Sequence, residues 1–238
     1  SGGNWTNGDA SMMSSEDLNA SISLHGGSDP QTVPIAQKEV HNSHKTLGTQ
    51  MNPTGTMTAE TNRLKAKAST IAAAIERFEG PPWKAHLLYT SRYQPSLAYS
   101  LPITTLSAAQ VKSIQTRPIK AILGSLGVNR MFPRDVAHGP LTHGGLGLPH
   151  LLTIQGVSQI ALLTGHIRQN DVNGKLTLAC LDSAQLIAGV SAPLLEYPSL
   201  THPHLKDPWL DSHRSFLTEC DAKLIISAAW TPTLHRTH

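Results

Sequence analysis

The stretch GPLTHGGLGLPHL, residues 139–151, holds four glycines, two prolines and no charge, and His138, His143 and His150 lie in it or beside it. Glycines in such numbers can cradle a phosphate. A dinucleotide fingerprint needs Gly-x-Gly-x-x-Gly opening a helix. Here Gly145-Leu146-Gly147 is followed by Leu148, Pro149 and His150, so the third glycine is missing. A Walker loop needs Gly-Lys-Ser/Thr, and no lysine lies between Lys120 and Lys175. The stretch is therefore read as a tight turn in which Leu146 and Leu148 pack while the chain doubles back. Zinc takes three or four closely paired ligands, often with Cys or carboxylate. The histidines here, with His202-Pro203-His204 and His235-x-x-His238, carry no nearby cysteine, and Cys180 and Cys220 stand forty residues apart. A histidine-dependent metal hydrolase ranks third among the readings.

Acid–base or two-metal chemistry needs convergent carboxylates. The one adjacent acidic pair is Glu16-Asp17, and no carboxylate lies between Glu79 and Asp135. The serine-nucleophile elbow Gly-x-Ser-x-Gly is absent. No self-contained active site emerges.

Charge is the remaining chemical feature. The net charge is only +3, but residues 38–134 hold thirteen Lys and Arg against four Glu. A chain polarised in this way points to a polyanionic partner, with solvated helix faces as the plain alternative. Arg63, Lys65, Lys67, Lys84, Arg92, Lys112 and Lys120 are the candidate phosphate-contacting residues. Trp83, Tyr89, Tyr93 and Tyr99 interleave with Lys84 and Arg92. Such rings either stack on bases or fill the core.

The elements that must position these cations are mostly helices. Apolar residues make up 39% of the chain and charged ones 15%, enough for a core though not a rich one. Two cysteines give no disulfide framework, which suits a reduced, intracellular setting, the nucleus included. Val136–Ile167 is uncharged, but histidines, prolines and glycines interrupt it, so it reads as packed rather than membrane-inserted. No signal peptide is visible. Residues 1–20 read as a ragged, flexible start. Residues 21–55 read as a small antiparallel sheet, its segments separated by Gly-Gly-Ser-Asp-Pro and closed by Asn52-Pro53-Thr54-Gly55.

From Thr58, an N-cap, a helix follows with Leu64, Ala68, Ile71, Ile75 and Phe78 on one face, stopped by Gly80-Pro81-Pro82. A second helix starts at Pro82-Trp83, and Pro95 ends or kinks it. Ser107 caps a third, with Val111, Ile114, Ile122 and Leu123 inward and a kink or break expected at Pro118. Three more are expected: about 152–169 with Ile154, Val157, Ile160, Leu163 and Ile167 inward, about 174–189, and from Asp207-Pro208 to about Trp230. Residues 192–206 read as a linker. The expected fold class is mainly α with a short antiparallel β segment.

In this order, HKTLGTQMNPTG, a long helix, AHLLYTSRYQPSLAYSLP, LSAAQVKSIQTRPIKAILGSLG and GPLTHGGLGLPHL resemble the segment that follows the palm in reverse transcriptases (RNA-directed DNA polymerases) of non-LTR retrotransposons. The likeness covers residues 40–155. It implies that residues 21–55 end a palm, 56–135 form a helical thumb, and 136–238 form a post-thumb helical region. It also implies that the thumb grips an RNA/DNA template–primer duplex. Thr46 stands where that family has an aromatic, and Pro118 interrupts a helix that is continuous there. The family's Asp-Asp pair, which holds two Mg ions, is absent from this sequence. The resemblance thus implies a C-terminal fragment with no cofactor of its own, inactive as a polymerase without the palm and fingers. The alternative is a helical protein-interaction domain with no nucleic-acid role, whose acidic C-terminal third docks a basic partner on an apolar groove.

Overall fold

The computed structural model describes residues 41–226 in full, and before them the backbone of four short strands. Two compact units divide the chain, Ser1–Glu60 and Thr61–His238.

The first unit carries antiparallel ribbons. Strand β1 (Gly3–Thr6) pairs with β2 (Asp9–Met12), β3 (Ile22–Leu24) with β4 (Gln31–Val33), and β5 (His44–Thr46) with β6 (Thr49–Met51). They form three separate two-stranded ribbons rather than the single small sheet expected, and the first lies inside the stretch expected to be ragged. Leu47 and Gly48 join β5 to β6 with φ of 47° and 86°. Two positive φ values make the turn whose twist matches a hairpin. Past β6, Asn52 shapes the expected turn, its Oδ1 accepting from Thr54 N at 2.9 Å while Gly55 N donates to its carbonyl at 2.9 Å. Gln50 N donates to Glu60 Oε2 at 2.8 Å, which gives that buried carboxylate a partner.

The second unit is helical. Helix α1 runs Thr58–Glu76 and buries Leu64, Ala68, Ala72 and Ile75 at helical spacing. It stops two residues short of Phe78, which is exposed rather than inward, its ring lying where a β-carbon on Gly80 would sit. Helix α2 (Pro82–Leu88) passes through a π turn (Tyr89–Tyr93) into α3 (Gln94–Ala98). Pro95 therefore does not end the helix. It has no N–H to give the preceding turn, and the widened π turn just before it absorbs the mismatch. Ala85, Tyr89, Tyr93 and Leu97 make its buried side.

Ser107 caps α4 (Ala108–Ser125) through a capping box, its hydroxyl accepting from Gln110 N at 3.3 Å and Gln110 Oε1 accepting from Ser107 N at 2.9 Å. Helix α4 runs through Pro118 without the break that was one of the two expectations there. Pro118 lies on the buried side with Ile114, Ile119 and Ile122, and this packing holds a turn that costs roughly 3 kcal/mol in isolation.

The short α5 (Arg134–His138) leads into the glycine-rich stretch, and three helices follow: α6 (Leu151–Gln169), α7 (Val172–Ala188) and α8 (Pro208–Glu219). Helix α6 buries Leu151, Gln155, Gly156, Gln159 and Leu163, while Val157, expected inward, is exposed. Its buried stripe carries two glutamines because α8 and the 101–106 segment offer them partners. Gln159 Nε2 donates to Thr104 O at 2.6 Å, Ser212 Oγ to Gln159 Oε1 at 3.1 Å, and Gln155 Nε2 to Leu106 O at 3.1 Å. Asp207 caps α8 as its sequence implies, its Oδ1 accepting from Trp209 N and Leu210 N, each at 3.0 Å. Helix α8 ends at Glu219, not near Trp230, because Asp221 turns left-handed at φ 48° and Ala222 N closes the end on Leu217 O. The stretch 192–206 is no loose linker: Leu194, Leu195 and Leu205 join Leu163, Ala184, Leu210 and Leu217 in one apolar cluster. The fold is mainly α with a short antiparallel β segment, as expected.

Candidate nucleic-acid interface

The structure separates the seven candidate cations by their faces. On α1, successive residues turn by about 100°, so Arg63 and Lys67 share one flank of the buried stripe and Lys65 lies on the other, about 160° from Lys67. Their clustering in sequence is not a clustering in space. Lys67 Nζ donates to the Ser96 carbonyl at 2.8 Å, which ties its flank to α3. Glu76 shares the flank of Lys65, three turns on, and Arg117 of α4 reaches it at 3.1 Å. Helix α4 thus lies by the Lys65 flank. Arg117, first as hydrogen-bond donor, draws the Glu76 carboxyl below its ordinary range despite opposing desolvation. The pair is half exposed and worth less than about 1 kcal/mol.

Helix α4 is the best-ordered cationic face. Its buried stripe runs through Val111, Ile114, Pro118 and Ile122. Opposite it, Lys112, Thr116 and Lys120 follow at i, i+4 and i+8, all exposed. Lys112 and Lys120 are about 12 Å apart along the axis. Sequence reading singled out Lys112 and Lys120; Arg117 lies about 140° round the helix from Lys112, where Glu76 holds it. Between Thr61 and Arg134, eleven Lys and Arg face only Glu76 and Glu79.

The aromatic residues split. Tyr89 and Tyr93 are wholly buried and stacked, with centroids 4.6 Å apart, and burial drives both phenols well above their ordinary range. They are core residues. Trp83 and Tyr99 are 63% and 68% exposed, and Lys84 Nζ sits 5.4 Å from the Trp83 ring. Trp83, Lys84 and Leu87 share a solvent face of α2, and Arg92 is exposed on the π turn that continues it.

The glycine-rich stretch folds back on α5. Leu146 N donates to Val136 O at 3.1 Å, Leu148 N to Ala137 O at 3.0 Å, and Gly147 N to Gly139 O at 2.8 Å. A β-carbon on Gly145 would meet Gly139 O at 2.1 Å, so that position needs glycine. Leu148 is buried and Leu146 half-buried. The stretch also brings His138 beside His150, the rings tilted at 52° with centroids 4.7 Å apart, and His138 Nδ1 donates to Leu148 O at 2.8 Å. Burial, then the nearby His138, lowers His150 below its ordinary range. Among the described residues no group of three or more His, Cys, Asp or Glu is placed to hold a metal, and His235 and His238 lie outside them. Nor is any helix among the described residues long and apolar enough to cross a membrane.

No family model, no curated protein and no solved structure matches this chain.

Proposed function

We propose that the solvent face of α4, with the Trp83–Lys84 pair on neighbouring α2, grips a nucleic-acid duplex through its phosphates. The reading extends the resemblance of residues 40–155 to the thumb region of non-LTR reverse transcriptases. In it, template–primer RNA/DNA is the partner, and bond-making belongs to aspartates and two Mg ions of palm and fingers outside this chain. Lys112, Lys120, Lys65, Lys84 and Arg92 position the backbone, while Arg63 and Lys67 support the bundle from the other flank. The setting is inside the cell, the nucleus included.

The observation that carries this reading is the run Lys112–Thr116–Lys120 on one exposed helix face, in a stretch with no carboxylate between Glu79 and Asp135. Contacts of this kind release counterions and read no bases, so log affinity falls with log salt by roughly 0.9 per phosphate neutralised. Titrating a labelled RNA–DNA duplex at several salt concentrations tests it. Binding that is flat with salt sinks it. The second reading, a protein-interaction domain, draws on exposed Asp171, Asp211, Glu219 and Asp221 in the C-terminal part. It predicts no duplex binding in that titration.

A further inference from the structure

Where the glycine-rich stretch returns to α4, a hollow of about 370 Å³ opens at the edge of the cationic helix face, with Lys112 and Thr116 in its wall. Gln115 of α4 holds the returning chain there, its Nε2 donating to Pro149 O at 3.1 Å. The ionisable groups that line the hollow are Lys112 of α4, Arg134, Asp135 and His138 of α5, His150, and Glu219 of α8. With both imidazoles neutral, the two cations and the two carboxylates cancel. Each proton that the histidines take up therefore turns the hollow towards an anion.

The two histidines are placed so that this proton matters. His138 Nδ1 gives its hydrogen to the Leu148 carbonyl, which leaves Nε2 as the nitrogen a further proton reaches. His150 Nδ1 meets Thr153 Oγ1 at 3.1 Å, and its Nε2 is likewise left over. Burial, then the charge of His138, holds His150 below its ordinary range, against the opposing pull of Glu219 and Asp135. Two charged imidazole rings this close repel each other, and an anion beside them relieves that repulsion. Arg134 is a further donor in want of an acceptor. Its Nη2 donates to Arg130 O at 3.0 Å, while its Nη1 is buried with no acceptor in the protein. A buried donor in that state is costly, and an incoming oxygen satisfies it.

We infer that this hollow takes one phosphate group together with a proton, the oxyanion held by Lys112, Arg134 and the His138–His150 pair. The inference rests on the duplex reading for the source of the phosphate, a strand lying along Lys112, Thr116 and Lys120. The coupled proton makes the grip pH-dependent. The histidines titrate higher with the phosphate bound than without it, so affinity rises as pH falls through the bound value and levels off below the free one.

Duplex binding by the whole chain at pH 7.5 and pH 5.5, at fixed ionic strength, tests it. One proton bound with the phosphate changes affinity by at most about tenfold per pH unit, and binding about tenfold tighter at pH 5.5 is expected. His150→Gln is expected to bind alike at both, with the parent's melting temperature at pH 7.5. His143→Gln, at an exposed histidine of the same stretch outside the hollow, is expected to keep the difference. Without any duplex, the imidazole proton resonances of His138 and His150 are expected to titrate at higher pH in sulfate than in chloride of equal ionic strength. Sulfate is a tetrahedral dianion that does not itself titrate in this range. Duplex binding that varies with salt but not with pH overturns the strand as the source and leaves the duplex reading in place. Imidazoles that titrate alike in the two salts overturn the pocket itself. No duplex binding at either pH removes the duplex reading, and a sulfate response then gives the hollow to a free phosphate. A pH difference that His150→Gln leaves undiminished also overturns the inference, since other histidines then carry it.

Discussion

Gly156 of α6 lies under the ring of Phe216 of α8, so close that a β-carbon there would come within 2.1 Å of the ring Cγ. The contact is with the root of the ring, which cannot swing aside without moving α8.

Gly156→Ala is therefore expected to destabilise the chain. Alanine gains about 1 kcal/mol in helix propensity, but overpacking of a fixed contact costs about 1–3 kcal/mol or more. The melting temperature should drop by several degrees, at roughly 2–4 °C per kcal/mol for a domain of this size. Phe216→Ala in the same chain should make the glycine replaceable. An unchanged melting temperature for Gly156→Ala alone would show that α6 and α8 are free to separate.

Gln159 is wholly buried and bridges Thr104 O and Ser212 Oγ. Gln159→Leu keeps the volume but takes the donor from that carbonyl and the acceptor from the hydroxyl. A loss of about 1–3 kcal/mol is expected, read by urea denaturation. Replacing Ser107, whose hydroxyl caps α4, by alanine should cost about 1 kcal/mol in the same assay.

Lys112→Ala with Lys120→Ala is expected to flatten the salt dependence of duplex binding by about two counterions while leaving the melting temperature in place. Both side chains are exposed. Lys67→Ala should do less to the slope, since its ammonium already serves the Ser96 carbonyl. Equal slopes for the double variant and the parent chain would remove α4 from the interface.

His213 is buried against Trp209, centroids 4.0 Å apart, and its Nδ1 donates to Trp209 O at 2.8 Å. Burial pushes its imidazole below the ordinary range, outweighing that hydrogen bond; burial lowers His150 and His202 too. A depressed folded value means that the unfolded chain binds more protons near pH 6. Stability is thus level above about pH 7 and falls as pH drops through about 6.5, with buried His213 contributing most. Asp182 and Asp211, raised by burial, act with the opposite sign and nearer the ordinary carboxylate range. His213→Gln should shrink the difference in melting temperature between pH 7.5 and pH 5.5. An undiminished difference assigns the effect to the other histidines.

The sequence by itself determined the helical class and the placement of most helices. Caps and stops are local: Ser107 with Gln110 and Asp207 with Pro208 act through the next few backbone N–H groups, so spacing alone exposes them. The turn at residues 139–149 was legible for the same reason, as Gly145 has no room for a side chain. What tertiary structure decided were the faces. Pro95 and Pro118 read as kinks or ends, and packing of Tyr93, Leu97, Ile119 and Ile122 carries both helices on past them. Gln155 and Gln159 stood outside the expected inward set, yet Thr104, Leu106 and Ser212, distant in sequence, supply their hydrogen bonds. Leu194, Leu195 and Leu205 read as linker but fill the core. Arg63, Lys65 and Lys67 lie close in sequence, and the helix winds them onto opposite flanks. Burial depends on partners far along the chain, and no local pattern records which partner will arrive.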